Sequence, residues 1–140
     1  MQQELKPSYL PLKVVLYFSA IFHVAAGFYI VFSGDSSASY GEVVFGMTIL
    51  PNPQMLYVLK AAGVYALAFG LVIWLAARDP DKYRHIIYVV TGMYAFRCIN
   101  RMVSINYIQE TFAVTPFRAW LAVVILGVIA FLLFIFRPKA

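Results

Sequence analysis

Four polar side chains share one face of a mostly apolar segment, 86–108, and are the best candidates in this chain for binding a ligand. They are Arg97, Asn100, Arg101 and Ser104, and their spacing is i, i+3, i+4 and i+7. A helix places residues at this spacing on a single stripe. Because a guanidinium group offers a planar fork of donors to acceptor oxygens, the stripe predicts a site for an anion, a polar lipid headgroup or a quinone at Arg97, Asn100 and Arg101.

A structural role for the same arginines is the alternative. An arginine close to the membrane surface can extend its side chain toward water, or it can pair with a carboxylate in a neighbouring loop. Glu42 and Glu110 are the predicted ion-pair partners, since both fall in connections on the outer side of the membrane. Lys60 lies near the start of the second apolar segment, on that same side of the membrane. It is therefore a further candidate anion-binding residue.

His23 is the second candidate and lies near the middle of the first apolar segment. Ser19, His23 and Gly27 repeat every four residues and predict a small, polar stripe that faces inward. A histidine there can form a hydrogen bond between helices, or it can serve as an axial ligand of haem iron or of a chlorophyll-type pigment. A haem held by two histidines is not expected, because His85 lies at the far end of its own segment.

The composition indicates an integral membrane protein. Of 140 residues, 63% are hydrophobic and 12% are charged, whereas soluble domains carry roughly 45–50% apolar and about 25% charged residues. The net charge of +5 would suggest a nucleic-acid partner in a soluble chain. Here most of the positive charges fall at segment ends, so they indicate membrane topology and no nucleic-acid partner. A lone cysteine, Cys98, excludes intrachain disulfides and multi-cysteine metal sites.

Four apolar segments predict an all-α, four-helix membrane bundle within a single domain, 14–137. An interfacial arm, 1–13, precedes this domain, and an outer loop, 34–54, follows the first helix. Each segment is close to the roughly 20 residues that a bilayer crossing needs. The predicted crossings are 14–32, 56–77, 86–108 and 120–136. In the second, Ala62, Ala66 and Gly70 form a small-residue stripe suited to close helix packing.

The distribution of basic residues predicts the orientation of this bundle in the membrane. With four crossings, both chain ends and the second connection share one side of the membrane. Cytoplasmic connections are enriched in Lys and Arg, so this side is predicted to be the cytoplasm and the protein a multi-pass protein of the cytoplasmic (inner) membrane. The basic residues on this side are Lys6, Lys13, Arg78, Lys82, Arg84, Arg137 and Lys139, against Lys60 and Arg118 in the outer connections.

Catalytic signatures are missing from the sequence. It contains no nucleophile elbow, no phosphate-binding loop and no zinc-binding HExxH motif. No acidic residue falls inside a predicted crossing, which argues against a proton-coupled transporter. The sequence therefore favours a non-catalytic role but leaves open whether the protein is an enzyme, and it predicts no metal-binding cluster of side chains.

Three short stretches resemble the DoxX-like group of small bacterial membrane proteins. They are Leu59–Gly70, Ala76–Pro80 and Phe96–Arg101. The resemblance implies a four-helix bundle with an arginine-bearing third helix, and a link to quinone or thiol-sulfur oxidation systems. The single Cys98 does not supply the dithiol that thiol redox chemistry requires.

Two functions follow as the main expectations, and a third, a transporter or channel subunit that would form its path by oligomerisation, is suggested by the positive charges within the membrane segments. The first is a non-catalytic accessory subunit of a larger respiratory or photosynthetic membrane complex, which contacts lipids and other membrane subunits and holds lipid or pigment between them. The alternative is a DoxX-like, quinone-linked redox auxiliary that binds a quinone or an anionic headgroup through Arg97, Asn100 and Arg101. Quinone, phospholipid and a chlorophyll-type pigment are the candidate bound molecules.

Overall fold

The computed structural model describes residues 9–33, 37–50 and 52–138, and over these ranges the protein is all-α. Residues 1–8 of the predicted arm and residues 34–36 and 51 of the predicted outer loop lie outside the described residues, as do Lys6 and Lys139. The helices, in chain order, are α1 (Leu10–Phe32), α2 (Ser37–Tyr40), a π-helical turn (Gly41–Phe45), α3 (Pro53–Arg78), α4 (Arg84–Val103), α5 (Ile105–Phe112) and α6 (Pro116–Phe136).

Prolines mark the first turns of three helices. Proline occupies N1 or N2 of α1, α3 and α6, where its missing N–H removes no intrahelical hydrogen bond. Asn52 caps α3, because its side chain accepts a hydrogen bond from the Met55 backbone N–H at 2.8 Å. Helix α3 ends at Arg78, one residue before the Asp79-Pro80 pair, since a residue that precedes proline disfavours the helical conformation.

Helices α1, α3 and α6 are each long and apolar enough to cross a membrane. They contain 23, 26 and 21 residues, and a crossing needs about 20. Helix α4 has 20 residues, but it is not among these three described helices, because polar residues including Arg97 and Arg101 lower its hydropathy. The chain is therefore a membrane protein through three of its helices, and a fourth crossing depends on α4.

The segment predicted as the third crossing, 86–108, is not one continuous helix. Helix α4 ends before Ser104, whose backbone (φ −93°, ψ 12°) interrupts the helix, and α5 follows directly. The short helix α5 has more clearly divided polar and apolar faces than α4. The polar residues of α5 at helical spacing are Asn106, Gln109 and Glu110.

The closest helix packing joins α1 and α3, which run antiparallel. A Cβ atom built on Gly27 would lie 2.6 Å from the Gly63 carbonyl oxygen and 2.6 Å from the Leu67 backbone nitrogen. A Cβ on Gly70 would lie 2.9 Å from the Val24 backbone nitrogen. Glycine at these positions lets the two backbones touch, as small residues do in membrane helix pairs.

The α3 face that makes this contact differs from the predicted stripe of Ala62, Ala66 and Gly70. Gly63 and Gly70 are buried, whereas Ala62 is exposed and Ala66 is half-buried. The helix is rotated so that Gly63 faces α1, and the seven-residue spacing from Gly63 to Gly70 keeps both glycines on the contacting side. The missing side chain of Gly63 permits the closer approach.

The four long helices contact one another in a ring. Backbone contacts run from α1 to α3, from α3 to α4, from α4 to α6 and from α6 back to α1. Helices α1 and α4 are therefore diagonal to each other. A side chain that joins these two helices must cross the interior of the ring.

One end of the ring gathers three separate parts of the chain. The Tyr9 hydroxyl donates to Asp81 Oδ1 at 2.6 Å, which connects the start of α1 to the turn between α3 and α4. The Tyr88 hydroxyl donates to the Pro138 carbonyl at 2.9 Å, which adds the end of α6. The fully buried apolar core lies toward this end and draws on all four long helices. Its members are Leu12, Leu16, Ala20, Ile73, Ala76, Ala77, Ile87, Val90, Tyr94 and Leu133.

The opposite end, called the outer end below after the orientation that the sequence predicts, is covered by α2, the π-helical turn and α5. The Thr48 N–H donates to the Phe112 carbonyl at 2.8 Å and joins the first connection to α5. Gly46 adopts a left-handed conformation (φ 66°) directly beneath the Arg118 side chain at the start of α6. Glycine fits here because it accepts a positive φ and leaves room for that side chain.

Candidate functional site

The polar stripe of α1 faces the interior of the ring. Ser19, His23 and Gly27 are all buried, and His23 is only 6% exposed. The wholly apolar core ends at the level of His23 along the ring, and polar side chains of α4 lie beyond it. The site defined here, the His23 site, comprises Ser19, His23, Tyr94 and Arg97.

Hydrogen bonds on both ring nitrogens define the protonation state of His23. Nδ1 lies 2.8 Å from the Ser19 carbonyl oxygen, and Nε2 lies 3.1 Å from Arg97 Nη1. A carbonyl can only accept and a guanidinium can only donate. Nδ1 therefore carries the hydrogen and Nε2 presents its lone pair, so His23 is the neutral Nδ1–H tautomer.

Aromatic rings enclose the imidazole on three sides. The rings of Phe22, Phe69 and Tyr94 meet it edge to face, at centroid distances of 5.6, 5.0 and 5.9 Å. The Tyr94 hydroxyl also lies 3.4 Å from Nδ1, a long contact beside the shorter bond to Ser19. These contacts hold the imidazole in place, so that Nε2 points across the diagonal toward α4.

Arg97 is the charged member of the site, and its side chain is exposed. Helix geometry places it about 20 Å along α4 from Arg84, at 1.5 Å per residue, and His23 lies at a matching distance from the start of α1. Among the residues that the structure describes, Arg97 forms no ion pair, and its hydrogen-bond partner is the neutral His23. A guanidinium group has five N–H donors, so donors remain for a further ligand.

Two residues extend the positive region toward the outer end. Arg101 is half-buried and lies one helical turn beyond Arg97, close enough for their charges to interact. Tyr40 of α2 is also within the electrostatic range of Arg97. Burial raises the pKa of the Tyr40 phenol, and the positive charge of Arg97 acts in the opposite direction.

The other predicted site residues lie outside this contact network. Asn100 and Lys60 are exposed, and no described contact joins either of them to His23 or Arg97. Glu42 belongs to the π-helical turn and Glu110 to α5, and within the described ranges neither carboxylate forms an ion pair with an arginine of α4. The predicted stripe is thus divided, because the exposed Arg97 reaches His23 and Arg101 is half-buried, whereas the exposed Asn100 makes no described contact with the site.

Tyr94 is the site residue that the sequence analysis missed. It is 2% exposed and continues the buried face of α4 formed by Ile87 and Val90. Its spacing to Arg97 and Arg101 is i, i+3, i+7, which would have placed it on the arginine stripe. The spacing did not single out Tyr94, because aromatic residues are common throughout this chain.

Metal binding receives no support from the described residues. They contain no group of three or more His, Cys, Asp or Glu side chains that could hold an ion. Both nitrogens of His23 are engaged, which leaves no lone pair for an axial bond to haem or a pigment in this arrangement. Cys98 is turned toward α6, where its thiol lies 3.5 Å from the Val123 carbonyl.

An open apolar groove of about 710 Å³ lies away from the polar site. Its α1 residues are on the face of the helix opposite His23. The groove is lined mainly by apolar side chains and does not belong to the His23 site. Its lining residues are Ile21, Val24, Ala25, Phe28, Tyr29, Leu71 and Trp74.

Comparison with known proteins gives one match. A sequence model described as "Domain of unknown function (DUF4345)" matches residues 11–133, which cover nearly all of the four long helices. No curated protein and no solved structure matches the chain. The matched description contains nothing about DoxX-like proteins, so that resemblance stays a prediction.

Proposed function

Since the chain belongs to the DUF4345 family, whose description assigns no activity, we propose a function from the geometry alone. The protein is a four-helix protein of the cytoplasmic membrane that binds the oxygen-bearing headgroup of a membrane amphiphile at the His23 site. The observation that carries this proposal is the contact between Arg97 and His23. It aims a cationic donor at the interior of the helix ring, where its described partner is neutral.

Charge distribution supports four crossings with both chain ends in the cytoplasm. The start of α1, the α3–α4 turn and the end of α6 lie at one end of the ring. Cytoplasmic ends of membrane helices are rich in Lys and Arg. The described basic residues at this end are Lys13, Arg78, Lys82, Arg84 and Arg137.

The depth of the site suits a headgroup that enters from the outer leaflet. Arg97 lies about 20 Å from the cytoplasmic start of α4, which leaves about 9 Å to Val103 at 1.5 Å per residue. The hydrocarbon layer is about 30 Å thick. An amphiphile could therefore place its headgroup against Arg97 while its tail stays among lipid chains, and Tyr40 and Arg101 would lie on the outer side of the headgroup.

Acceptor oxygens are the chemistry that these residues recognise. Arg97 donates several N–H groups in one plane, which suits the oxygens of a phosphate, a carboxylate or a quinone. The buried Ser19 hydroxyl has no hydrogen-bond partner of good geometry among the described residues, although the Tyr94 hydroxyl is near it. It adds a second polar group on the inner side of His23.

A binding assay with paired variants tests the proposal. The purified protein in phosphatidylcholine nanodiscs is titrated with phosphatidylglycerol and, separately, with a ubiquinone. Arg97→Gln removes the charge at the site, and Arg84→Gln removes an exposed charge from the other end of the same helix. A hydrogen bond to a charged group contributes about 1.5–3 kcal/mol, so Arg97→Gln should weaken binding about tenfold or more. Equal affinities for the two variants would contradict the proposed site.

The accessory-subunit hypothesis stays a prediction. Helix α6 exposes large apolar residues such as Phe117, Phe131 and Phe134. Lipid would cover these side chains as readily as a partner subunit would. Native purification tests the hypothesis, because an accessory subunit should be recovered with larger membrane proteins.

A further inference from the structure

We propose that the ligand of the His23 site is an anion and that its binding takes up one proton on His23. This inference rests on the function proposed above and specifies its ligand and its regulation. It follows from the directions of the two hydrogen bonds on His23.

Arg97 excludes a proton from His23 in this arrangement of hydrogen bonds. A donor of Arg97 occupies the Nε2 lone pair at 3.1 Å, and Nδ1 already carries its hydrogen toward the Ser19 carbonyl. A second proton could enter only at Nε2. It would have to displace the Arg97 donor and would place a second positive charge beside Arg97, which is costly because the imidazole is buried.

No described neighbour of His23 compensates for that charge. Helix α4 presents Tyr94 and Arg97, and α3 presents the ring of Phe69. On α1 itself the contacts are the Ser19 carbonyl and the Phe22 ring. Tyr40 and Arg101 lie beyond, near Arg97, and the first is a phenol and the second a cation. None of these groups is a carboxylate.

An anion beside Arg97 changes this balance. Its negative charge attracts the Arg97 donors, which frees the lone pair of Nε2. A proton from water then binds Nε2, and the new Nε2–H becomes a second donor to the same anion. For a monovalent anion, one negative and one positive charge enter together, so the net charge of the site is unchanged; a divalent anion lowers it by one. A neutral quinone brings no charge and gives no such coupling.

Thermodynamic linkage makes this coupling measurable. If the bound anion favours protonation of His23, protonation of His23 favours the anion by the same factor. Anion affinity should therefore rise as the pH falls. The rise is limited to about tenfold per pH unit for one coupled proton.

The test uses the full chain in phosphatidylcholine nanodiscs and two anions whose charge is fixed between pH 5 and 8. Phosphatidylglycerol represents a lipid-borne anion and inorganic sulfate a free one. Dissociation constants are measured across this pH range for wild type and for His23→Gln, which has no titratable ring. In parallel, ¹⁵N NMR of histidine-labelled protein follows His23 Nε2, with His85→Gln to assign the other histidine.

The expected result is tighter binding at low pH in wild type and a flat pH profile in His23→Gln. Nε2 should move from an unprotonated to a protonated shift on addition of the anion, a measurement that does not depend on any His23 variant. Binding of phosphatidylglycerol alone identifies a lipid headgroup, and binding of both anions identifies the anion itself as sufficient.

Two results overturn this inference but leave the proposed function intact. One is anion binding with the same affinity at every pH and an unprotonated Nε2. The other is binding of ubiquinone with no binding of either anion. If phosphatidylglycerol, sulfate and ubiquinone all fail to bind, the proposed function fails as well.

Discussion

Substitution of Gly27 by alanine tests whether contact between the α1 and α3 backbones holds the His23 site together. The added Cβ would lie 2.6 Å from the Gly63 carbonyl oxygen and from the Leu67 backbone nitrogen, whereas ordinary contact begins at 3.4 Å. The difference, 3.4 − 2.6, requires the helices to separate by roughly 0.8 Å, because both obstacles are backbone atoms that cannot rotate away.

The energetic cost follows from this separation. A gap of this size forfeits about a quarter to a half of each affected van der Waals contact, and overpacking of this kind costs about 1–3 kcal/mol. Alanine recovers about 0.5–1 kcal/mol of helix propensity. Gly27→Ala should therefore be destabilised by up to about 2.5 kcal/mol, as the difference between these two estimates.

Gly92→Ala is the matched control. A Cβ on Gly92 meets no atom within 4 Å, so this variant gains helix propensity without a clash and should be at least as stable as wild type. Unfolding is measured for both variants in the same detergent. Affinity for phosphatidylglycerol is a second measurement, since His23 lies one turn from Gly27 and packs against Phe69 of α3. Equal stabilities of the two variants would refute the close-packing argument.

Three further predictions concern the two ends of the protein. The hydrogen bond to Asp81 raises the pKa of Tyr9. Its small contribution to stability should be present below the unfolded phenol's pKa of about 10 and be lost as the pH rises through the folded value. Melting temperatures of wild type and Tyr9→Phe should thus converge in alkali, and a gap that persists would contradict this. Gly46→Ala forces a side chain into a left-handed conformation against Arg118, at a cost of about 1–2 kcal/mol. It should speed hydrogen exchange in 41–50, and unchanged exchange would argue against a strained turn. Tags on the two chain ends should both react only from the cytoplasmic side, and opposite accessibility would exclude four crossings.

The helical segments were largely predictable because they depend on local sequence. The predicted crossings 14–32, 56–77 and 120–136 fall within or close to α1, α3 and α6. The segment 86–108 was harder, since no Gly or Pro next to Ser104 marks the break that separates α4 from the more strongly amphipathic α5. Periodicity in the first helix also predicted that Ser19, His23 and Gly27 face inward, and all three are buried.

The partners of these residues could not be predicted in the same way. Periodicity shows which side chains share a face of one helix, but it does not show how far the next helix is rotated about its own axis. Gly63, rather than Ala62, therefore faces α1. The predicted carboxylate partners of the arginines lie in connections whose paths depend on long-range contacts such as Thr48 to Phe112.

The sequence by itself determined that this protein is helical and suited to a membrane, and that arginines share a face of one helix with Asn100. Only the tertiary structure decided that Arg97 meets His23, 74 residues away in the chain. The physical reason is that glycine contacts bring α1 and α3 together and the ring of long helices then places α4 diagonally opposite α1. Diagonal neighbours are fixed by the packing of every helix between them, and no local pattern in the sequence records that arrangement.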